Sequence, residues 1–484
     1  MPQAVLAPSE LFVPANFING RWSTEGDGTF CTVVDKYHGT TLARIPHATD
    51  AQMDEAIAAA CASRNALRAM SAGERGTRLE ALAALIESRQ EALATLIVQE
   101  AGKPIGYARA ELSRCVTTAR TAAAEAVRFT GESVAIDFGA GIGKTAFTKR
   151  FPVGVVGAIT PFNFPLNLVL HKVAPAMAVG CPVVLKPAPQ APLSAMALAM
   201  MMEEIGWPEG AFSAVLCGIP VAEKLATDAH VAMLSFTGSD KVGWHLKTIC
   251  GKKKIALELG GNAAVIIDEG ADLAAVAKVV AMGANLYAGQ TCISTQRIYA
   301  VEPVHDTFRD LLVKEYGVLK AGDPNDPSVS VGPIIDTGHF QRICSWVEQA
   351  VKGGATLLAG GAAVDPKRNV YAATLLADAG RDMRVNCSEV FGPVAVIEAV
   401  EDFGAGIARV NDSVYGLQVG VFTNSLAHMK RAHDELEVGA VMINNVAGFR
   451  VDSMPYGGVK DSGLGREGLK YAMEEMSEPR LIVF

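Results

Sequence analysis

Two short segments of the chain hold side chains that could carry out covalent chemistry on a carbonyl group. Cys292 lies in the glycine-led segment Gly289–Ser294, and Glu258 opens the segment Glu258–Asn262 upstream of it. A thiolate adds to the carbonyl of an aldehyde, and the thioester that follows oxidation is released by water that a nearby base activates. The pairing of a thiol with a carboxylate therefore suggests oxidation of an aldehyde to an acid.

Four other segments accompany these two. They are Pro161-Phe162-Asn163-Phe164-Pro165, Leu185-Lys186-Pro187, Phe236-Thr237-Gly238-Ser239 and Glu389-Val390-Phe391-Gly392-Pro393. Any one of the motifs alone would be weak, because a lone cysteine is more often a small buried hydrophobic residue than a nucleophile. Their order and spacing, from Phe17 to the last residues, resemble the NAD(P)-dependent aldehyde dehydrogenase superfamily.

The resemblance implies the aldehyde dehydrogenase fold, of class α/β, with three parts. We place a Rossmann-like NAD(P)-binding domain at residues 1–130 and 153–257, an α/β catalytic domain at 258–450, and a β-hairpin oligomerisation arm at 131–152 and 470–484. The C-terminal residues of the arm resemble a companion strand of the hairpin. Exposed apolar edge strands would be an aggregation hazard in a monomer, so we expect a homodimer or a dimer of dimers.

Composition excludes several other classes. A chain of 484 residues is too long for one compact core and should divide into two or more domains. Every stretch of about twenty residues that is rich in apolar side chains is interrupted by charged or helix-breaking residues, which argues against a membrane span. The start, Met1–Ala4, lacks the features of a secretory signal, so we expect a cytoplasmic protein. The net charge of -8 gives no general attraction for nucleic acid.

Cysteine and histidine spacing argues against disulfides and metals. The nine cysteines are scattered, with no C-x-x-C pair, which fits reduced thiols. The nine histidines show no ligand spacing either. We therefore expect no catalytic metal.

Short apolar strands alternate with helical segments from residue 153 onward, the pattern of parallel strands in α/β layers. Near the N-terminus, a helix is predicted to start after Asp50 as its N-cap, and a second helix to run from about Glu74 to just before Gly102. The other predicted elements are strands at 153–159, 182–185 and 263–267, and helices at 191–205 and 273–286.

The segment Gly139–Thr145 looks like a phosphate-binding loop but lacks its requirements. The first glycine of a Walker A motif would have to stand at Phe138, and a helix should follow. The residues that follow show the alternating pattern of a β-strand, so we predict that these glycines form the turn of a hairpin.

The resemblance assigns three catalytic roles. Cys292 is the nucleophile, a partly accessible thiol at the foot of a substrate tunnel. The Asn163 side chain and the backbone N–H of Cys292 meet the oxyanion that forms. Glu258 is the base that activates water. Its presence favours hydrolysis of the thioester over transfer of the acyl group to coenzyme A. From the residues alone, Asn163 could instead be a turn residue before Pro165, and Glu258 a solvated or capping acid.

A nucleotide-binding turn is indicated at residues 236–239. The turn follows an apolar strand and precedes a helix, which places backbone N–H groups and a helix dipole at a pyrophosphate. The resemblance implies NAD or NADP as coenzyme, with contacts from Ile159, Thr160, Pro161, Phe162, Lys186, Gly238, Ser239, Gly243, Glu389 and Phe391. Without the resemblance, the lysine and the glutamate could be surface residues and the second phenylalanine a core aromatic.

Pro189 is the departure from the family pattern with the clearest consequence. NAD-specific relatives commonly carry a glutamate three positions after the lysine that Lys186 matches, where it binds the ribose hydroxyls and would repel a 2'-phosphate. Proline removes that charge, so we expect NADP to be accepted.

The expected substrate is a small-molecule aldehyde, and the sequence indicates its identity less clearly than it indicates the reaction. The region Arg450–Gly463 resembles relatives that oxidise lactaldehyde, glyceraldehyde phosphate or phosphonoacetaldehyde. Several of these hold an anionic substrate end with arginines, and Arg114 and Arg450 occupy matching stretches, although each could equally be salt-bridged. Thr291 stands where phosphate-handling relatives usually have another arginine. This difference argues against a phosphorylated substrate and leaves an uncharged or carboxylated one.

Three alternatives remain beside this interpretation. The same chemistry could act on aromatic or aliphatic aldehydes. A cysteine esterase could use the same thiol, donor and base, and its independence from NAD(P) would separate the two activities. A binding protein that kept the fold is disfavoured, because nothing structural requires the thiol, base, amide and Glu389 together.

Overall fold

The structure is a computed structural model that describes residues 7–484. None of the helices within this range is both long and apolar enough to cross a bilayer. The helices are α1 Asp50–Ala69, α2 Ala72–Ser88, α3 Gln90–Ala101, α4 Ile105–Arg128, α5 Asn167–Val179, α6 Leu193–Ile205, α7 Ile219–Ala222, α8 Lys224–Thr227, α9 Asp240–Ile249, α10 Leu273–Asn285, α11 Glu302–Val318, α12 Thr337–Lys352, α13 Arg384–Cys387, α14 Phe403–Asn411, α15 Leu426–Glu435 and α16 Leu469–Glu475.

The strands build two large sheets and several small ones. They are β1 Asn16–Ile18, β2 Arg21–Ser23, β3 Phe30–Val34, β4 Thr41–Pro46, β5 Ser133–Val134, β6 Ala146–Pro152, β7 Val155–Ile159, β8 Val183–Lys186, β9 Phe212–Ala214, β10 Val231–Thr237, β11 Lys254–Glu258, β12 Ala264–Ile267, β13 Arg297–Val301, β14 Thr356–Ala359, β15 Ala363–Asp365, β16 Val370–Tyr371, β17 Thr374–Ala377, β18 Val394–Val400, β19 Tyr415–Gly416, β20 Gln418–Phe422, β21 Ala440–Ile443, β22 Val459–Lys460, β23 Gly463–Leu464 and β24 Ser477–Val483.

The first sheet has the strand order β2-β1-β9-β8-β7-β10-β11-β23. Its strands from β9 to β11 are parallel. All five residues of β7 are buried, as expected for a strand covered on both faces. From β7 the chain adds β8 and β9 on one side and then β10 and β11 on the other. The order therefore reverses between β7 and β10, and ligands of such sheets bind outside the carboxyl ends of the strands at this point.

The second sheet brings three of the sequence segments together. Its order is β14-β17-β18-β13-β12-β20-β21, and all neighbours from β17 to β21 are parallel. The adjacent strands β12, β13 and β18 follow the segments Glu258–Asn262, Gly289–Ser294 and Glu389–Pro393, respectively. The three segments therefore meet at the amino edge of this sheet. The predicted strands and helices of the α/β region are confirmed as β7, β8, β12, α6 and α10, with small differences at their ends.

The predicted N-cap of the first helix is wrong by one residue. Thr49 caps α1, because its hydroxyl accepts the Gln52 N–H at 3.2 Å and the Gln52 side chain accepts the Thr49 N–H at 2.8 Å. This reciprocal cap satisfies two free donors. Asp50 is left in the first turn, where its charge still favours the helix dipole.

The single helix predicted from Glu74 to Gly102 is also wrong, since the chain forms α2 and α3 there. The Ser88 hydroxyl donates to the Leu85 carbonyl at 2.9 Å, a side-chain bond that competes with helix continuation. Arg89 then leaves helical geometry at φ -108° and ψ 12°. Apolar residues on both helices pack into one core, so the apolar spacing continues across the break.

The glycine-rich segment turns a hairpin, as predicted, since β5 and β6 on either side of it pair antiparallel. The strand β24 pairs with β6 along its whole length, from Ser477 to Val483, so the C-terminal residues are the companion strand. This three-stranded sheet, with its hairpin connection and the last residue, leaves large apolar side chains exposed, namely those of Phe138, Ile142, Phe147, Leu481, Ile482, Val483 and Phe484.

Candidate active site

The carboxyl edge of the first sheet faces the amino edge of the second. In the first sheet, Ile159 pairs with Phe236 and Thr237 pairs with Glu258, so β7, β10 and β11 end at the same level. The segments after these strands and those before β12, β13 and β18 line a common space. The fold thus assembles residues that lie far apart in the sequence.

Two cavities meet in this space. The glycine-turn cavity, of about 460 Å³, is lined by Gly238, Glu258 and Glu389 among others. The aromatic cavity, of about 400 Å³, is lined by Phe164, Tyr287 and Phe449 among others. Five residues line both cavities, and they are Asn163, Leu168, Cys292, Arg450 and Tyr456. A group bound in one cavity can therefore reach a group bound in the other at the Cys292 sulfur.

The segment before Cys292 is an irregular turn held from several sides. Leu286–Gly289 form a 3₁₀ turn. Within it, Tyr287 and Ala288 have left-handed backbone conformations, at φ 51° and 54°. A Cβ at Gly289 would lie 2.0 Å from the Gly392 carbonyl oxygen, so a side chain is excluded there. Strain of this kind persists only where the surroundings fix it, and the Tyr287 hydroxyl donates to a backbone carbonyl of α3 at 2.5 Å.

The Cys292 thiol is partly buried. Its Sγ lies 2.9 Å from the hydroxyl oxygen of Tyr456. Burial raises the pKa of the thiol to about 12, against a lowering influence of Tyr456. Since the thiolate is the reactive form, the thiol needs a base and stabilising donors before it can attack.

Asn163, the predicted oxyanion donor, lines both cavities together with Cys292. It is buried, and its Nδ2 donates to the Gln290 carbonyl at 3.0 Å. Its Oδ1 has no partner among residues 7–484. The amide therefore borders both cavities next to Cys292.

Glu258 ends β11 with its carboxylate buried in the glycine-turn cavity. Neither carboxylate oxygen has a hydrogen-bond partner among residues 7–484. Burial, together with the nearby carboxylate of Glu467, raises the pKa of Glu258 well above its usual range. A buried unpaired carboxyl is costly and calls for a functional explanation, and a raised pKa suits acid–base work near neutral pH.

A buried ion-pair network lies behind the thiol and the carboxyl. Lys172 Nζ donates to Glu467 Oε1 at 2.8 Å, and Arg450 Nη2 lies 3.3 Å from Glu467 Oε2. These cations, with His171, hold the pKa of Glu467 at about 2 although burial alone would raise it. Glu467 thus stays ionised and keeps a negative charge close to Glu258.

The two arginines predicted as substrate anchors are both paired with acids. Arg114 donates from Nη2 and Nε to Asp452, at 2.6 and 3.2 Å, which leaves Nη1 for a ligand. Its side chain is 29% exposed and lines the aromatic cavity, whereas that of Arg450 is 6% exposed. Thr291 is buried and also lines this cavity. Of the two arginines, Arg114 has the more exposed side chain, whereas Arg450 is buried and lines both cavities.

The predicted coenzyme residues fall into two groups. Lining the glycine-turn cavity are Pro161, Phe162, Gly238, Ser239, Glu389 and Phe391. The others, Ile159, Thr160, Lys186 and Gly243, lie next to it. The Thr160 N–H donates to the Lys186 carbonyl at 3.2 Å at the adjacent strand ends, and Gly243 packs against Leu259.

The glycine-turn cavity has the features of a dinucleotide site. The turn Phe236–Ser239 precedes α9, whose ten residues direct a helix N-terminus towards it. Thr237 Oγ1 is buried without a partner among residues 7–484. A Cβ at Gly260 would lie 2.2 Å from Glu389 Oε2, so the backbone there is open only because it is glycine. The Phe162 and Phe391 rings stand 5.9 Å apart, edge to face.

Sequence reasoning missed three residues of this site, Tyr456, Lys172 and Glu467. A lysine inside the fully buried helix α5 is a signal of a buried acidic partner. Tyr456 stands before two glycines in a region already singled out, but its contact with Cys292 spans 164 positions. No sequence pattern marks Glu467.

A thiol placed between a nucleotide-type turn and a second cavity is the arrangement expected of an enzyme that oxidises aldehydes. The sequence profile of the aldehyde dehydrogenase family matches residues 22–482, and the chain belongs to this family. It is an oxidoreductase with the aldehyde dehydrogenase fold.

Relatives and solved structures support the same class. Over 472 residues the chain is 41% identical to 3-sulfolactaldehyde dehydrogenase from Priestia aryabhattai, with 96% of this chain and 97% of the relative covered. The crystal structure of aldehyde dehydrogenase 21 from Physcomitrella patens, in complex with the reaction product succinate, matches with TM-score 0.93 and 39% identity over 97% of this chain and 98% of that one. A glyceraldehyde-3-phosphate dehydrogenase from Methanocaldococcus jannaschii, complexed with NADP, matches with TM-score 0.89 and 36% identity over 94% and 98%. The coenzyme is NAD or NADP.

Proposed function

We propose that this protein oxidises a small polar or anionic aldehyde to its carboxylic acid with NAD(P)+, through a thiohemiacetal and a hydrolysed thioester on Cys292. The observation that carries the proposal is the position of the Cys292 sulfur at the junction of the two cavities, with the unpaired carboxyl of Glu258 in the same space.

Each residue of the site has a role in this cycle. Glu258, in its ionised form, takes the proton of the Cys292 thiol, and the thiolate adds to the aldehyde carbonyl. Asn163 Nδ2 and the backbone N–H of Cys292 then donate to the oxyanion. When bound, NAD(P)+ supplies the hydride acceptor, and its holders are the glycine turn, Lys186 and Glu389. After releasing the thiol proton to solvent, Glu258 activates the water that hydrolyses the thioester, and Cys292 leaves as thiolate and is protonated again.

The same thiol, amide and carboxyl could hydrolyse an ester without coenzyme. The similarity to proteins named as dehydrogenases favours the oxidation. Initial rates of NADH and NADPH formation over neutral and anionic aldehydes test the proposal. Aldehyde-dependent NAD(P)H formation is expected, whereas ester hydrolysis without any coenzyme reduction would contradict it.

Arg114 is proposed to hold the anionic end of the substrate. Its replacement by lysine keeps a cation beside Asp452 but loses the parallel donors of the guanidinium. We expect KM for an anionic aldehyde such as succinic semialdehyde to rise about tenfold, with that for propanal nearly unchanged. The control is Arg109→Lys on the same helix, since Arg109 makes a comparable two-donor pair with Glu91 on the surface. An equal change for both aldehydes would mean that Arg114 is structural.

Pro189 is proposed to admit the 2'-phosphate of NADP. Its carbonyl accepts the Cys31 thiol at 3.1 Å, and Lys36 and Lys186 both lower the pKa of that thiol, although burial raises it overall. Two cations therefore lie near this position without a fixed carboxylate from residue 189.

Pro189→Glu is expected to shift the coenzyme preference towards NAD by about tenfold or more, because the new charge repels a 2'-phosphate. The measurement is the ratio of kcat/KM values for NADP and NAD. Gln190→Glu, which adds the same charge one residue further on, is the control. A wild-type preference for NAD above about a hundredfold would contradict NADP acceptance.

The apolar side chains exposed on the three-stranded sheet of β24, β6 and β5 support assembly into a homo-oligomer. In this proposal, residues 131–152 and 470–484 form the arm that pairs with another copy, beside an NAD(P)-binding domain at 1–130 and 153–257 and a catalytic domain at 258–450.

A further inference from the structure

The Tyr456 hydroxyl lies within hydrogen-bond distance of the Cys292 sulfur. The distance from its hydroxyl oxygen to Sγ is 2.9 Å, and the residue is 2% exposed. Its backbone exchanges two hydrogen bonds with Glu467, at 3.0 and 2.6 Å, in an isolated antiparallel bridge. The hydroxyl therefore reaches the sulfur from a backbone that two hydrogen bonds tie to Glu467.

Two properties make this hydroxyl a donor towards the sulfur. Burial raises the pKa of the Tyr456 phenol well above its usual value, so the phenol keeps its proton. The guanidinium carbon of Arg450 lies 3.7 Å from the ring centroid, where a cation is attracted to the ring face and also favours a thiolate nearby. Asn163, which lines both cavities with Cys292, donates one of its two amide hydrogens to the Gln290 carbonyl.

We propose that Tyr456 is a catalytic residue whose hydroxyl donates a hydrogen bond to the Cys292 thiolate, stabilising it and holding the sulfur where the two cavities meet. This inference rests on the proposed function. The thiol proton passes to the ionised carboxylate of Glu258, and a sulfur lone pair then forms the C–S bond while the carbonyl π pair moves onto oxygen. Tyr456 keeps its proton throughout.

Two opposing effects set the size of the benefit. A hydrogen bond to a charged acceptor lowers the pKa of the thiol by about one to two, which increases the thiolate fraction about 10- to 100-fold below that pKa. A stabilised thiolate is also a weaker nucleophile, by about 3- to 8-fold over the same range. The larger thiolate fraction prevails, and the net acceleration is about 3- to 10-fold.

Tyr456→Phe tests the proposal because it removes the hydroxyl and keeps the ring. Alkylation of Cys292 by iodoacetamide, followed by mass spectrometry of its peptide at neutral and mildly alkaline pH, should slow about 3- to 10-fold. Tyr371→Phe is the matched control, since Tyr371 is also 2% exposed and lies in the core of the second sheet. The exposed Cys387 gives a reference rate within each sample.

A second variant separates hydrogen bonding from packing. With 3-fluorotyrosine at position 456 the hydroxyl is a stronger donor, so alkylation should equal or exceed the wild-type rate. The proposal is overturned by a Tyr456→Phe rate within about twofold of wild type, or by a fluorotyrosine variant as slow as the phenylalanine one. Alkylation requires neither aldehyde nor coenzyme, so these results stand even where the wild type forms no NAD(P)H, which would instead refute the proposed function.

Discussion

Replacing Cys292 by alanine is expected to lower kcat for aldehyde oxidation by at least about 10⁴-fold, because the covalent route is lost with its nucleophile. Coenzyme affinity should stay close to that of the wild type. Cys292 packs against the apolar cluster of Ile293, Leu417 and Tyr456, none of which belongs to the glycine turn. The measurements are NAD(P)H formation with a reactive aldehyde and coenzyme binding by quenching of protein fluorescence.

Other cysteines provide the control for this variant. Cys387→Ala removes an exposed thiol and should retain wild-type activity. Dehydrogenase activity that survives in Cys292→Ala would contradict the assignment of the nucleophile. Loss of coenzyme binding in the same variant would show instead that the substitution disturbs the glycine-turn cavity.

Glu258→Gln is expected to stall the enzyme after the hydride has left the substrate. The amide cannot take a proton from water, so kcat should fall by about 10²- to 10⁴-fold. The first turnover should survive more slowly, giving a burst of NAD(P)H that matches the number of active sites. Rapid-mixing absorbance measurements distinguish the burst from the slow steady state.

The pH dependence of the wild type should report the same group. Burial and Glu467 raise the pKa of Glu258, and only the ionised form is a base. Turnover is therefore expected to be low below that raised pKa and to increase as the pH rises through it. Glu258→Gln should lose this dependence in kcat.

Glu269→Gln, which changes an exposed acid, is the control and should leave kcat and its pH profile unchanged. A wild-type profile with no rise anywhere between acidic and alkaline pH, or a Glu258→Gln variant with normal kcat and no burst, would contradict the role of Glu258.

Local pattern predicted the elements of the fold where one physical signal dominates. The apolar run of β7 and the turn at Phe236–Ser239 are visible in sequence because burial and glycine content mark them. The break at Arg89 is not visible in the sequence, because the apolar spacing continues through it. The end of α2 is marked only by the Ser88 side-chain hydrogen bond. Thr49 and Asp50 are both good caps, and the glutamine three residues after Thr49, which makes the reciprocal contact, is the sequence signal that favours Thr49.

The main residues of the candidate site could be predicted from the sequence, but their geometry could not. The roles of Cys292, Glu258 and Asn163 came from motifs and a family resemblance, and the structure places the three side chains around one space. The unpaired state of the Glu258 oxygens and the contact between Tyr456 and Cys292 depend on tertiary packing. Residue spacing carries no information about contacts that two sheets and a C-terminal loop create together.

The most direct test of the acyl-enzyme account is mass spectrometry of the Glu258→Gln protein after mixing with an aldehyde and NAD(P)+. We expect an added acyl group on the peptide that contains Cys292, formed in step with the burst and released by hydroxylamine. NAD(P)H formation with no acyl group on that peptide, or with the acyl group on another cysteine, would contradict it.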